Sequence, residues 1–442
     1  MKKLPGIVAL TLAVALCACG AKETLAPARA PGQTARAEPS AAASVNYFDL
    51  LTLDDTPNKM VSPASISQAV GLLVLGFGEK PEKPPEELEN PGAAETKFFT
   101  QTDDPDILRY IADFGGAADV NPPVLALYNY KRRQLELKAA YAADNQPAAG
   151  VELSFSNALW LADNDLKPLS YYKNDAKRCF DAEIRSARRA DFSDTVNNWT
   201  SDKTHGKIQN VVPPDIAQNP DFKALIENVV YFKGKWLTPF KASETNMPFT
   251  NDDGAVKETP AMSLTARLPY VKTDGFEMTA LKYAGSGNLY MLVILPEENA
   301  PAPAWREAES AALKILAPEA SADYLKRVNL EMPKFRTEYE VSDALKNYLK
   351  PYNLFGREVP FMFEKGGAFE ASDIVHKTYI DVDEGGTEAA AATAITMNKA
   401  VAAEPDDLVI MRVNRPFYYV ILDPALRDGG PVFIGKQARF EN

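Results

Sequence analysis

The chain is short of the residues that carry most side-chain chemistry. In 442 positions there are three cysteines, two histidines and four tryptophans. Three cysteines cannot build a disulfide scaffold. No Gly-x-Ser-x-Gly elbow occurs, so a Ser-His-acid triad has no nucleophile setting, and the chain reads as neither an enzyme nor a metal or cofactor protein. Basic residues are outnumbered, 48 Lys and Arg against 60 Asp and Glu, for a net charge of −12. That balance argues against nucleic acid or an anionic membrane surface as the partner. What is present is ordinary for a globular protein, 46% hydrophobic and 24% charged, with length for two or three average domains or one large unit.

Lys2 and Lys3 precede an apolar run from Leu4 to Leu16, too short to span a bilayer and laid out as a secretory signal. The run closes in Leu16-Cys17-Ala18-Cys19-Gly20, which resembles the lipobox of bacterial lipoproteins and implies a mature chain starting at an acylated Cys19. An ordinary signal cut near Ala13-Val14-Ala15 is the alternative. Gly20 after the lipidated position implies the outer membrane. Removing residues 1 to 18 leaves 46 basic against 60 acidic residues, a net charge of −14. Cys17 then leaves with the signal, Cys19 carries lipid, and Cys179 stands alone without a disulfide partner, in a helical-looking segment where a buried, inert thiol is expected. Residues 19 to 46, rich in Ala, Pro, Gly and Ser, form a tether that cannot bury enough apolar surface to order.

Folding signals begin at Tyr47-Phe48-Asp49-Leu50-Leu51, and the folded unit is placed at 47 to 442. Ser62-Pro63 reads as a helix start, and Val151 to Leu161 as a strand. Leu225 to Phe232 reads as a central strand, and Val341 to Leu349 as a helix capped by Ser342. Ile374 to Val382 is a strand with Ile374, His376, Thr378, Ile380 and Val382 on its inner face. From Gly76 to Gly150 no chemical motif is legible.

The stretch Glu384-Gly385-Gly386-Thr387-Glu388-Ala389-Ala390-Ala391-Ala392-Thr393 joins a glycine pivot to a run of small residues. By composition it is an Ala-rich loop or helix. Read in alternation, it is a strand with Thr387, Ala389, Ala391 and Thr393 on one face.

Several further segments, taken in chain order, decide between these readings. They are Ser62-Pro63-Ala64-Ser65-Ile66, Asn157-Ala158-Leu159-Trp160, Val196-Asn197-Asn198-Trp199, Thr204-His205-Gly206-Lys207-Ile208, and Asn228 with Tyr231-Phe232-Lys233-Gly234-Lys235-Trp236. Leu330 to Phe335, the strand with His376, the Gly385-Gly386 hinge, Val413 to Tyr419 and Val432 to Lys436 complete the series. With this order the chain resembles the serpins. The resemblance implies an α+β fold of three β-sheets and about nine helices, with a reactive loop exposed at about 384 to 412. It implies a monomeric inhibitor that a serine protease cleaves and is trapped by as a covalent acyl complex, a papain-like cysteine protease being a second candidate partner.

Residue roles follow from the same resemblance. Glu384 through Thr393 would be the hinge, and Ser62, Ser65, Asn228 and His376 a polar cluster where the central sheet parts, with Trp236 where insertion begins. Counting from Glu384 places the scissile bond at Ala400-Val401, implying an elastase- or subtilisin-type target. A loop one residue shorter places it after Lys399 and implies a trypsin-like one. The acidic piece Glu404 to Asp407 lengthens the loop and leaves a register towards Ala402 or Ala403 open. A second departure is Glu227, where the family usually has an apolar residue. A non-inhibitory binding protein on the same fold is the alternative function.

Overall fold

A computed structural model describes residues 45–82, 97–114, 123–162, 166–285, 287–298, 300–317, 321–364, 376–387 and 408–441. Eight α-helices and three sheets are found among the described residues. The expected signal segment, Cys19, the expected tether, Glu388 to Thr393 of the expected hinge and the expected reactive-centre residues Lys399, Ala400 and Val401 lie outside them.

The six-stranded sheet runs in the order Phe335–Val341, His376–Val382, Gly386–Thr387, Ala224–Lys235, Val151–Leu161 and Glu183–Ser186. Its long central pair, Val151–Leu161 with Ala224–Lys235, is antiparallel from Val151 opposite Gly234 to Leu161 opposite Ala224. His376–Val382 is β-branched and alternating, so His376, Thr378, Ile380 and Val382 are buried while the residues between them are half-buried.

A nine-stranded sheet includes Tyr290–Pro296, Phe417–Leu422 and Phe433–Gln437, and ends on Leu408–Arg412, which runs parallel to Leu325–Pro333. The two sheets pack face to face through Leu153, Val230, Phe232 and Ile380 on one side and Leu281, Val293, Tyr419 and Phe433 on the other. Both ends of the expected loop are therefore strands: Gly386–Thr387 belongs to one sheet and Leu408–Arg412 to the other.

Two helices matter for the sheet's behaviour. Pro63–Leu75 starts at Ser62, whose Oγ accepts the Ser65 N–H at 3.1 Å, with Pro63 in the first turn where its missing N–H costs nothing. Phe192–Lys203 lies on the outer face of the six-stranded sheet, its Val196 and Trp199 clustered with Ala158, Trp160 and Val229. Ser342 departs from its expected capping role. It sits at φ −135°, ψ −81°, outside the extended region a capping residue adopts, and makes no side-chain cap bond to the helix Asp343–Leu349.

Candidate functional site

The strands Ala224–Lys235 and His376–Val382 are neighbours across a seam that, among the described residues, Gly386 and Thr387 bridge. Gly386 pairs with Lys235 and Thr387 with Gly234, while Thr387 also faces Val382. Below these two residues the seam has no strand of its own among the described residues.

A turn sets the entry to the seam. The Asp383 carboxylate accepts the N–H groups of Gly385 and Gly386 at 2.7 and 3.1 Å, and the Asp383 N–H donates to the Gly386 carbonyl at 2.9 Å. The turn is tied down by the segment after Lys235: Trp236 N–H donates to Gly385 O at 3.0 Å, Phe240 N–H to Glu384 O at 2.9 Å, and the Trp236 indole to Asp383 O at 3.0 Å. Lys334 reaches the Glu384 carboxylate at 3.0 Å. Glycine is needed at 386 because a Cβ there would lie 2.0 Å from the Gly234 carbonyl oxygen.

Thr387 is buried, 1% exposed, and its Oγ1 lies 2.7 Å from the Tyr283 hydroxyl. The Tyr283 ring stacks on Trp236 with centroids 4.7 Å apart and 19° between planes. Trp236 thus sits at the mouth of the seam, holding the ring that holds the threonine.

Lower down, a polar chain links the two sides of the seam through the start of the helix Pro63–Leu75. His376 Nε2 accepts the Ser62 N–H at 3.0 Å, and Ser62 Oγ donates to Val432 O at 2.6 Å. Ser65 Oγ donates to Asn228 Oδ1, Asn228 Nδ2 to Asn157 Oδ1 at 2.6 Å, and Asn157 Nδ2 to Gln68 at 2.8 Å and Phe180 O at 2.7 Å. Burial pushes the His376 imidazole down to about 3, so it is a neutral acceptor that holds one strand, while Ser65 holds the other. A proton on His376 would remove the acceptor that Ser62 uses.

Ser62, Ser65, Asn228 and His376 are joined in this one network, and Trp236 lies apart from it at the seam's mouth. Sequence reasoning missed Tyr283, Asp383, Asn157 and Gln68. Asn157 lies in a segment it had noted, but Tyr283 is 104 positions from Thr387 and has no local pattern to betray it.

Residues 40–439 match the family model described as Serpin (serine protease inhibitor). Serpin A3-1 of Bos taurus is 30% identical over 308 residues, covering 66% of this chain and 69% of its own. An uncharacterized serpin-like protein of Thermococcus kodakarensis is 30% identical over 257 residues, and the match spans 56% of either chain. Among solved structures, human glycosylated kallistatin superposes with a TM-score of 0.65 at 22% identity, over 89% of this chain and 94% of that one, a similarity of fold.

Proposed function

Because the chain belongs to the serpin family, we propose that it is an inhibitory, lipid-anchored member that traps a serine protease by inserting its cleaved loop into the six-stranded sheet. The observation that carries the reading is the docked pair Gly386–Thr387, which forms the first rung of a strand between Ala224–Lys235 and His376–Val382.

The protease serine attacks the carbonyl of Ala400, the bond to Val401 breaks, the new amine takes the proton, and an ester joins the protease to the loop. Residues 388 to 400 can then add below the docked rung. At roughly 3.3 Å per residue that strand is on the order of 45 Å long. At about 1 kcal/mol per net hydrogen bond it gains on the order of ten kcal/mol. Displacing one oxyanion donor of the attached protease forfeits about 3 kcal/mol of its catalytic stabilisation, so insertion supplies enough free energy to distort the enzyme, and the trap closes when insertion is faster than deacylation. The small side chains from Ala389 to Ala392 let the strand enter without bulk or charge. An acylated Cys19, with residues 20 to 44 as tether, would hold this inhibitor at the outer membrane of a bacterium.

Incubation with pancreatic elastase, subtilisin and trypsin tests the reading. A denaturant-resistant complex of summed mass with elastase or subtilisin is expected, and the mass of the released C-terminal fragment locates the cut at Ala400. A complex with trypsin alone moves it to Lys399. Cleaved loop with fully active protease in all three mixtures would favour the non-inhibitory reading.

A further inference from the structure

The helix Phe192–Lys203 and the segment after it lie across the seam and are pinned on both sides of it. On one side His205 Nε2 lies 3.1 Å from Glu152 of the Val151–Leu161 strand, and its ring packs edge-on against Tyr231 at 4.6 Å. On the other, Lys377 of the His376–Val382 strand donates to Gln209 O at 3.1 Å, and Lys207 lies 5.1 Å from the Tyr379 ring. A strand entering the seam has to slide beneath this cover.

At the centre of the cover is Glu227, the residue that departs from the family's pattern. It is 6% exposed on the Ala224–Lys235 strand, and its carboxylate has two donors: Trp160 Nε1 at 2.8 Å, from the neighbouring strand, and the Thr200 hydroxyl, from the covering helix. One carboxylate therefore ties helix to sheet beside the line along which the sheet must open. Nothing in the insertion chemistry uses it, and an apolar side chain would fill the space without the cost of burying an acid.

We infer that Glu227 is a positioning residue for strand insertion: its carboxyl group clamps the Phe192–Lys203 helix to the sheet through Thr200, and release of this clamp sets the rate at which the seam admits a strand. The inference rests on the inhibitory reading only for its purpose, since the clamp itself acts on the opening of the sheet.

The clamp has a protonation state. Burial, opposed by the two hydrogen bonds, pushes the Glu227 carboxyl up to about 7. Lifting the helix admits water and favours the ionised form, so loss of the proton eases opening. The charged groups around it are arranged in pairs. Arg185 lies 5.1 Å from the Trp160 ring and Lys203 5.5 Å from the Trp199 ring, and Glu183 bridges the two at 2.8 and 3.1 Å. Across the seam, Arg336 and Lys207 lie against Tyr379, and Lys377 pairs with Glu338 and Glu340. Asp144 is pushed to about 7 by its burial near Asp423. His205 of the cover faces Glu152 and Tyr231. Only a Glu227 variant separates these.

The test is the rate at which the purified protein incorporates an N-acetylated synthetic peptide copying residues 387 to 400, followed by mobility on native gels between pH 5.5 and 8.5. The wild-type rate is expected to rise about three- to tenfold with pH, a tenfold change corresponding to a one-unit fall in the acid's pKa on opening. Glu227→Gln should give a flat profile near the wild-type acid rate. Thr200→Val, which removes one tie without changing shape, should incorporate peptide about three- to tenfold faster and move the midpoint of the profile upward, and it serves if the Gln variant fails to fold. An unchanged slope in Glu227→Gln, or a Thr200→Val rate and midpoint equal to wild type, overturns the clamp while leaving the inhibitory reading intact. A wild-type protein that takes up no peptide at any pH overturns both.

Discussion

The Thr387 hydroxyl lies 2.7 Å from the Tyr283 hydroxyl, under a ring stacked on Trp236. Two residues of the proposed hinge, Gly386 and Thr387, are therefore already a rung within the sheet. Arginine at 387 would have to bury a charge where Tyr283 now offers a hydroxyl, at a cost of several kcal/mol. Thr387→Arg is expected to be cleaved by a target protease at the normal rate and to form no stable complex, read on a denaturing gel. Undiminished complex formation would remove Thr387 from the insertion path.

Gly386 faces a tighter limit. With a Cβ 2.0 Å from the Gly234 carbonyl, Gly386→Ala should push the rung out of the seam. Hydrogen exchange at the Thr387 amide is expected to lose its protection, while amides in the Phe417–Leu422 strand keep theirs. Retained protection at Thr387 would mean that the backbone can shift to hold the rung.

Two buried groups give stability opposite slopes with pH. His376, folded value about 3 against an ordinary 6.5, contributes stability that is present above pH 6.5 and lost as pH falls towards 3. Glu227, folded value about 7 against 4.5, contributes stability that is present below pH 4.5 and lost as pH rises through 7. Each slope is about 1.4 kcal/mol per pH unit, so between pH 4.5 and 6.5 these two oppose each other, while Asp144, pushed up to about 7 by burial, adds a second falling slope. Chemical denaturation of the wild type and two variants across that window separates the contributions of His376 and Glu227 as differences from the wild-type profile. Relative to the wild type, stability should rise with pH in Glu227→Gln and fall with pH in His376→Gln. Parallel profiles for all three proteins would contradict the burial-driven shifts.

The proposed lipid anchor rests on Cys19. Cys19→Ser is expected to abolish labelling by a radioactive fatty acid and to move the protein from the membrane to the soluble fraction. Labelled protein or unchanged fractionation would exclude Cys19 as the anchor.

How much of this was legible depended on distance along the chain. The alternation of His376 to Val382 is a local pattern and appears in the burial of every second residue. Ser62 and Pro63 carry their own helix-start chemistry, and Ser62 accepts the expected backbone bond. Ser342 carried the same signal and failed, because the strand Phe335–Val341 delivers it with the wrong backbone angles. Tyr283 and Asp383 were illegible because their roles arise from contacts that the fold supplies. Glu227 was visible only as an oddity, and the covering helix explains why an acid can stand there.

The melting temperature before and after a single cut in the loop tests strand insertion most directly. If the cleaved loop enters the seam, a gain on the order of ten kcal/mol should raise the midpoint by roughly 12 °C, at about 1.2 °C per kcal/mol for a folded unit of about 400 residues. A cleaved protein that melts at the same temperature as the intact one would contradict insertion.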